Sequence, residues 1–378
     1  MNQKIKIVYM INSLKIGGPV NMLYNLIKYI DKEEFEITLI TLSKCNDEMK
    51  KDFSNIECNI IEIKDINLFR KISNVKEIIR KINPDIIHSH GGLADLINGK
   101  MKGNFAKFST VHCVPDEDFT MKKGKIIGNI KSNLFIYNMK KIANPIACSQ
   151  TVSNKILNKR NIEIDYVRNG IDIEIDKTNQ INITKKDFYI DDGKIVLIFC
   201  GYLSKRKNVR LLIEAFEKIE RNDLVLMVIG DGSEYEELNN VVKNNKNIKM
   251  VGRVNNPYNY LKLGDYFISA SLSEGLPLAV MEAMYSGLPA ILSDIDSHNE
   301  IKKLAPKAIE LFKNNDINEL AILLQKLDKN NYTEKSRESS ELIQNLLNAK
   351  CMSEQYEKKY RDTLISKRSF NDFNKEIR

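Results

Sequence analysis

No apolar run in the 378 residues reaches the roughly 20 positions that a membrane-spanning helix needs. Met1 to Ile11 enter a strand pattern at once, without the apolar core and cleavage site of a secretory leader. A cytoplasmic protein is therefore expected. The six cysteines (45, 58, 113, 148, 200 and 351) are scattered, with no Cys-x-x-Cys pair. They read as free thiols of a reducing compartment, which excludes zinc ribbons and disulfide staples. G-x-G-x-x-G is absent, as are a convincing paired-aspartate metal motif and any legible nucleic-acid module. With 43% hydrophobic and 29% charged residues, the chain is globular and long enough for two domains. A net charge of +8 calls for an anionic partner, whether nucleotide, membrane surface or nucleic acid.

The richest stretch is 267–293. Phe267 to Ala270 reads as a strand running into a Ser/Gly loop. Pro277 suits a first helical turn, where its missing N–H costs nothing. Leu278, Met281 and Met284 follow at helical spacing, Gly287 suits a left-handed C-cap, and Pro289 to Ser293 form the next strand. Glu274 falls in the loop beyond the first strand, and Glu282 eight residues on, within the helix. Ligands of open α/β sheets sit beside such loops, and helix N-termini favour anions. A carboxylate there is either a hydrogen-bond acceptor for a polyol or a capping charge. Spacing alone leaves both open.

The same unit recurs along the chain. Residues 4–11 form a strand, the next loop carries Gly17-Gly18, and Val20 to Ile30 form a helix. That is a phosphate cradle or simply a tight turn. Further strands are expected at Phe35–Leu42, Ile60–Ile63 and Phe108–His112, with a helix over Val75–Ile82. His88 and His90 share a strand face. Without an evident third ligand they read as hydrogen-bonded structural residues rather than metal ligands.

Residues 119–162 hold no Asp or Glu, but carry Lys122, Lys123, Lys125, Lys131, Lys140, Lys141, Lys155, Lys159 and Arg160 among apolar positions. Such a stretch is suited to weak contact with an anionic membrane, or is a solvated helix face packed on a core. Residues 173–192 are polar and read as a linker. The pattern then restarts: Ile195–Cys200 is a strand, Gly201–Asn208 a loop, Val209–Ile219 a helix, and Ile248–Val251 a strand ending at Gly252-Arg253. Lys205, Arg206 and Lys207 crowd a helix N-terminus, against its dipole. An anionic ligand there would remove the conflict; a solvated basic turn is the alternative.

Glu274-Gly-Leu-Pro-Leu-Ala-Val-Met-Glu282 and the residues to Pro289 resemble the E-x7-E signature of retaining glycosyltransferases, family 4, of the GT-B fold. The resemblance covers most of 5–365 and is strongest in 195–300. It implies two Rossmann-like α/β domains facing across a cleft: 1–172 for the acceptor, 193–348 for the nucleotide sugar, and 349–378 a last helix returning to the first domain with a polar tail. It implies that Glu274 faces the donor sugar, that the backbone of Gly275, Leu276 and Pro277 meets the phosphates, and that Glu282 holds the ribose. Gly17 and Gly18 would let donor and acceptor approach, and His112 would stand beside the sugar. Asn169 lies in a segment resembling the family's Pro-Asn-Gly-Val-Asp, and Arg253 joins the donor-binding set. In the family an Arg and a Lys clamp the diphosphate. Lys207 matches the Lys, but Tyr202 stands where the Arg would be, and a phenol supplies no bidentate charge. Arg206 or Lys205 would have to substitute.

The expected function is a metal-independent, retaining transfer of the hexosyltransferase type, from a nucleotide-diphosphate sugar to a saccharide or lipid-linked acceptor. The expected setting is cell-surface polysaccharide or glycolipid synthesis at the inner face of the membrane. Lys207, Arg206, Glu274 and His112 are the expected catalytic residues. No cofactor, metal or nucleic acid is expected. A catalytically impaired binding subunit remains as an alternative because of Tyr202; a GT-B epimerase or phosphorylase is the other.

Overall fold

Strands such as Ile195–Cys200 and Leu224–Ile229 are apolar without alternation and buried along their whole length. Such strands belong to parallel sheets covered on both faces. The computed structural model, which describes residues 3–15, 17–45, 47–174 and 182–376, contains two of these sheets. The chain divides into one unit of residues 1–170 and 349–378 and another of residues 171–348.

The first unit runs β1 (Ile5–Ile11), α1 (Gly18–Tyr29), β2 (Phe35–Thr41), α2 (Asp47–Asn55), β3 (Asn59–Glu62), α3 (Leu68–Ile82), β4 (Ile86–His90), α4 (Gly92–Lys100), β5 (Ala106–Val111), α5 (Pro115–Lys123), α6 (Lys125–Met139), β6 (Asn144–Ala147), α7 (Gln150–Arg160) and β7 (Asp165–Tyr166). The second runs β8 (Ile195–Cys200), α8 (Val209–Glu217), β9 (Leu224–Ile229), α9 (Tyr235–Val242), β10 (Ile248–Gly252), α10 (Tyr258–Leu261), β11 (Tyr266–Ser269), α11 (Leu278–Tyr285), β12 (Ala290–Ser293), α12 (Asp296–Leu304), β13 (Ile309–Phe312), α13 (Ile317–Lys326) and α14 (Tyr332–Asn345). The last helix, α15 (Ala349–Glu376), belongs to the first unit and packs on α1.

The sheets are parallel throughout, in the orders β3-β2-β1-β4-β5-β6-β7 and β10-β9-β8-β11-β12-β13. In each, the order reverses beside its first strand: between β1 and β4, and between β8 and β11. Loops leaving neighbouring strands on either side of a reversal diverge, and the space outside their carboxyl ends is where such sheets bind ligands. Side chains alternate between two cores. Ile7, Tyr9 and Ile11 enter one, together with Tyr356 and Tyr360 of α15, while Val8 and Met10 enter the other.

The stretch expected as a linker is not free chain where it is described. Lys185–Phe188 forms a 3-10 turn closed by Thr184 and Asp187, and Ile190 is buried in the second unit's core. Residues 175–181 lie outside the described residues. Ile171 bridges to Asn348, so the chain enters and leaves the second unit side by side. Several elements were not expected: α2, α4, α12 and β13. Helix α3 begins at Leu68, capped by Asn67, whose side chain accepts from the N–H groups of Phe69 and Arg70.

Candidate functional site

In the second unit, the loops after β8 and β11 flank the reversal and are tied together. Leu272 N–H donates to the Arg206 carbonyl at 2.8 Å, and the Arg206 guanidinium donates to the Ser273 carbonyl at 2.6 Å. The β8 loop also leans on the loop after β9, where a Cβ on Gly230 would stand 1.9 Å from the Gly201 carbonyl oxygen. Gly230 has φ +137°, so only glycine meets both demands.

This bracing brings three charges together. Lys207 Nζ lies 2.5 Å from Glu274 Oε1, and Arg206 Nη1 lies 2.6 Å from Glu274 Oε2. Burial opposes the charge of Glu274, but Lys207 and Arg206 outweigh it and hold the carboxyl down to about 2. Tyr202 is 64% exposed and Lys205 is exposed as well, so Arg206 is the second cation on Glu274.

Glu282 sits on α11, which begins at Leu278 with Pro277 as its N-cap. It ends before Gly287, where φ is +84°. Burial pushes the Glu282 carboxyl up to about 7, with Lys207 drawing it the other way. Its neighbours include Cys200, whose thiol burial raises to about 12, and Tyr258, also raised by burial. Two carboxylates on one motif are therefore shifted in opposite directions. Arg253 is exposed beyond β10, the edge strand, two strands away from β8.

Sequence reasoning missed His298 on α12. It is buried, its Nδ1 lies 2.8 Å from the Ser293 carbonyl, and Nε2 has no hydrogen-bond partner among the described residues. Burial lowers it to about 4, and it feels the charges of both Glu274 and Lys207. Its signal was its place, five residues past the end of a strand that neighbours the Glu274 loop.

Gly17, Gly18, His112 and Asn169 belong to the first unit. Gly17 is extended and precedes α1; a Cβ on Gly18 would meet nothing within 4 Å. Close packing therefore does not require a glycine at position 18, and the space over the helix start is open. The loop after β4 lies alongside the one after β1: a Cβ on Gly91 would stand 3.9 Å from Asn12 Nδ2. Asn169 is buried, and its N–H donates to the Cys148 carbonyl at 3.0 Å. His112, just past β5, bonds His90 through Nε2···Nδ1 at 3.0 Å. Burial lowers His112 to about 4. His88 is structural: Nδ1 meets the Tyr360 hydroxyl at 2.6 Å and Nε2 meets Thr110 Oγ1 at 2.8 Å.

Two family models match the chain, one in each half. "Glycosyltransferase Family 4" matches residues 16–175, and "Glycosyl transferases group 1" matches residues 180–345. The chain belongs to the group 1, family 4 glycosyltransferases. It is a transferase of EC class 2.4 and has the GT-B fold. Among its relatives is the Escherichia coli UDP-Gal:alpha-D-GlcNAc-diphosphoundecaprenol alpha-1,3-galactosyltransferase, 26% identical over 324 residues, covering 80% of this chain and 82% of the relative. The O-antigen biosynthesis glycosyltransferase WclY of Escherichia coli is 27% identical over 305 residues, covering 79% and 82%. Anabaena HepE, solved with UDP and glucose, shares the fold with a TM-score of 0.79 at 15% identity, covering 95% of this chain and 100% of that one.

Among the described residues, no group of three or more His, Cys, Asp or Glu is placed to hold a metal ion. No described helix is long and apolar enough to cross a membrane. The basic stretch is partly neutralised by acids that lie just outside it. Its acid-free span begins just after Asp116, Glu117 and Asp118, which open α5 and pair back into it. Lys122 pairs with Asp118, Lys155 and Lys159 with Glu117, and Arg160 with Asp116. Lys123, Lys125, Lys131, Lys140 and Lys141 make no ion pair among the described residues. Beside them α6 exposes Ile126, Ile130, Leu134 and Tyr137 in one stripe, Ile126 to 78%.

Proposed function

We propose that this glycosyltransferase moves a sugar from a nucleotide-diphosphate donor to a saccharide or lipid-linked acceptor, with retention and without a metal, in polysaccharide or glycolipid assembly. The observation that carries this reading is the Lys207–Glu274–Arg206 cluster at the reversal of the second sheet. The names of the relatives, which include an undecaprenyl-diphosphate-linked acceptor and O-antigen synthesis, support the substrate class.

The bond from the anomeric carbon to the phosphate oxygen breaks, and its electron pair leaves on that oxygen. Lys207 and Arg206 meet the growing charge, supplying the stabilisation that a bound cation supplies elsewhere. The acceptor hydroxyl adds on the same face and passes its proton to the departing phosphate oxygen. Glu274 is a poor nucleophile, since two cations occupy its oxygens and hold it ionised. That favours same-face transfer over a covalent glycosyl–enzyme. Glu274 accepts hydrogen bonds from the sugar hydroxyls. Glu282 accepts from the ribose, and the backbone of Gly275 to Pro277 meets the diphosphate. Asn169 and Arg253 complete the donor set. Gly17, Gly18 and His112 serve the acceptor and the sugar, and the open space over Gly18 supports this.

Contact with the inner face of an anionic membrane through α6 completes the reading. Phe135 meets Gly92 at the carboxyl end of β4, while Lys141 meets Gly99 near the far end of α4. The exposed stripe before Phe135 therefore lies toward the sheet edge that carries His112. The test is transfer by purified protein from a panel of nucleotide sugars to a short-chain lipid-diphosphate saccharide. An axial product from an axial donor, formed equally in EDTA, is expected. Inversion would refute retention, and loss in EDTA with recovery in Mg²⁺ or Mn²⁺ would refute the cation clamp.

A further inference from the structure

Three of the chain's four histidines form a column at the ends of β4 and β5. His88, fixed through both nitrogens, stacks on His90 with ring centroids 4.5 Å apart. His90 is 1% exposed and reaches His112 through Nδ1. Turning the His90 ring over would put a carbon at that contact, so the bond fixes the ring's orientation. Burial keeps both rings neutral, lowering His112 to about 4 and His90 well below the usual histidine value.

A neutral imidazole carries one N–H, so across this bond one ring donates and the other accepts. If His112 donates from Nε2, the proton of His90 must sit on its own Nε2. That atom is buried and has no partner among the described residues. If His90 donates from Nδ1, its Nε2 keeps only an unused lone pair, and the proton of His112 sits on Nδ1. Stranded buried N–H groups are rarer in proteins than unused acceptors. The His112 ring is partly exposed, and its Nδ1 has no partner among the described residues.

We propose that His90 is a positioning residue: it donates to His112 Nε2 and so holds His112 with its proton on Nδ1, presenting a hydrogen-bond donor at the open edge of the ring. This rests on the reading that His112 meets the transferred sugar. His112 then addresses a sugar or leaving-group oxygen as a donor, and takes no proton from the acceptor.

The test is histidine ¹⁵N NMR on the full-length protein, whose four histidines give a sparse spectrum. In the wild type at neutral pH, His112 should show a protonated Nδ1 and a bare Nε2. His90→Phe should release it toward the Nε2–H form and lower kcat about tenfold, the scale of one hydrogen bond, with donor KM nearly unchanged. His90→Asn, whose amide can donate from the same place, should restore the Nδ1–H form and most of kcat. A wild-type His112 protonated at Nε2 overturns the proposal without needing any variant. If the tautomers behave as stated but His90→Phe and His112→Ala both keep full kcat, the role of His112 is wrong rather than its tautomer, and the catalytic claim falls.

Discussion

The two units share one topology and differ in what they place at its reversal. The second sheet ends in a cluster of full charges, Lys207, Arg206 and Glu274, with Glu282 nearby. The first ends in neutral imidazoles and an open glycine pair. One fold edge thus carries two different sets of polar groups. Fixed charge suits a ligand that is already ionic and becomes more so as its bond breaks. Neutral donors suit hydroxyls whose charge changes little. The sheet supplies the position, and the loop residues supply the chemistry.

The sharpest way to break this comparison is Lys207→Ala. Removing a stabiliser of developing charge costs on the order of 100- to 1,000-fold in turnover, so kcat should collapse while donor affinity changes less; Lys207→Arg should retain much of it. A melting curve must show the variant folded, since Glu274 would keep only Arg206. Glu282→Gln should act differently, raising donor KM about tenfold, the scale of one lost hydrogen bond to a charged group, with kcat nearly intact. If Lys207→Ala spares kcat and Glu282→Gln removes it, the two roles are reversed.

Protonation sharpens the contrast within the second unit. Glu282 is raised to about 7 in the folded chain, above the usual carboxylate value of about 4. The folded state therefore binds a proton that the unfolded state has released, and this group costs stability as pH rises through about 7. Glu274, held down to about 2, acts oppositely: its contribution is present above about 4 and is lost as pH falls toward about 2. Glu282→Gln should therefore raise Tm relative to wild type more at pH 8 than at pH 5. Asp95, raised to about 7 by burial, stays in both proteins and cancels in the difference. A Tm difference independent of pH would contradict the burial of Glu282.

The smallest effect concerns membranes. With four of the nine basic residues of 119–162 paired to α5, binding to anionic vesicles should be weak and salt-sensitive, at no more than about 1 kcal/mol per free cation. Ile130→Asp should weaken it further. Equal sedimentation with neutral and anionic vesicles would remove the idea.

Much of this was legible in the sequence, because strand, loop and helix follow one another locally in the 195–217 and 267–293 stretches. What was missed depended on neighbours distant in sequence or hidden by composition. The start of α4 was masked by Gly91-Gly92, which reads as loop until β4 is in place. The pairing of Arg160 with Asp116 joins residues 44 apart. His90 reaches His112 only because β4 and β5 are parallel neighbours, with His90 opposite Thr110. Residue types alone could not choose between Lys205 and Arg206; the β11 loop chose, by bonding the Arg206 backbone and guanidinium together.

Tyr9 and Tyr360, bonded through their hydroxyls, stand 351 positions apart. A ribosome therefore completes β1 long before it makes the helix that covers it. Multidomain chains generally fold from the N-terminus as they emerge. Here the second unit, one continuous stretch, has all its parts as soon as Asn348 is out, while the first still lacks α15. The half that is made first is the half that must wait, with the apolar face beneath Tyr356 and Tyr360 uncovered until α15 has been made.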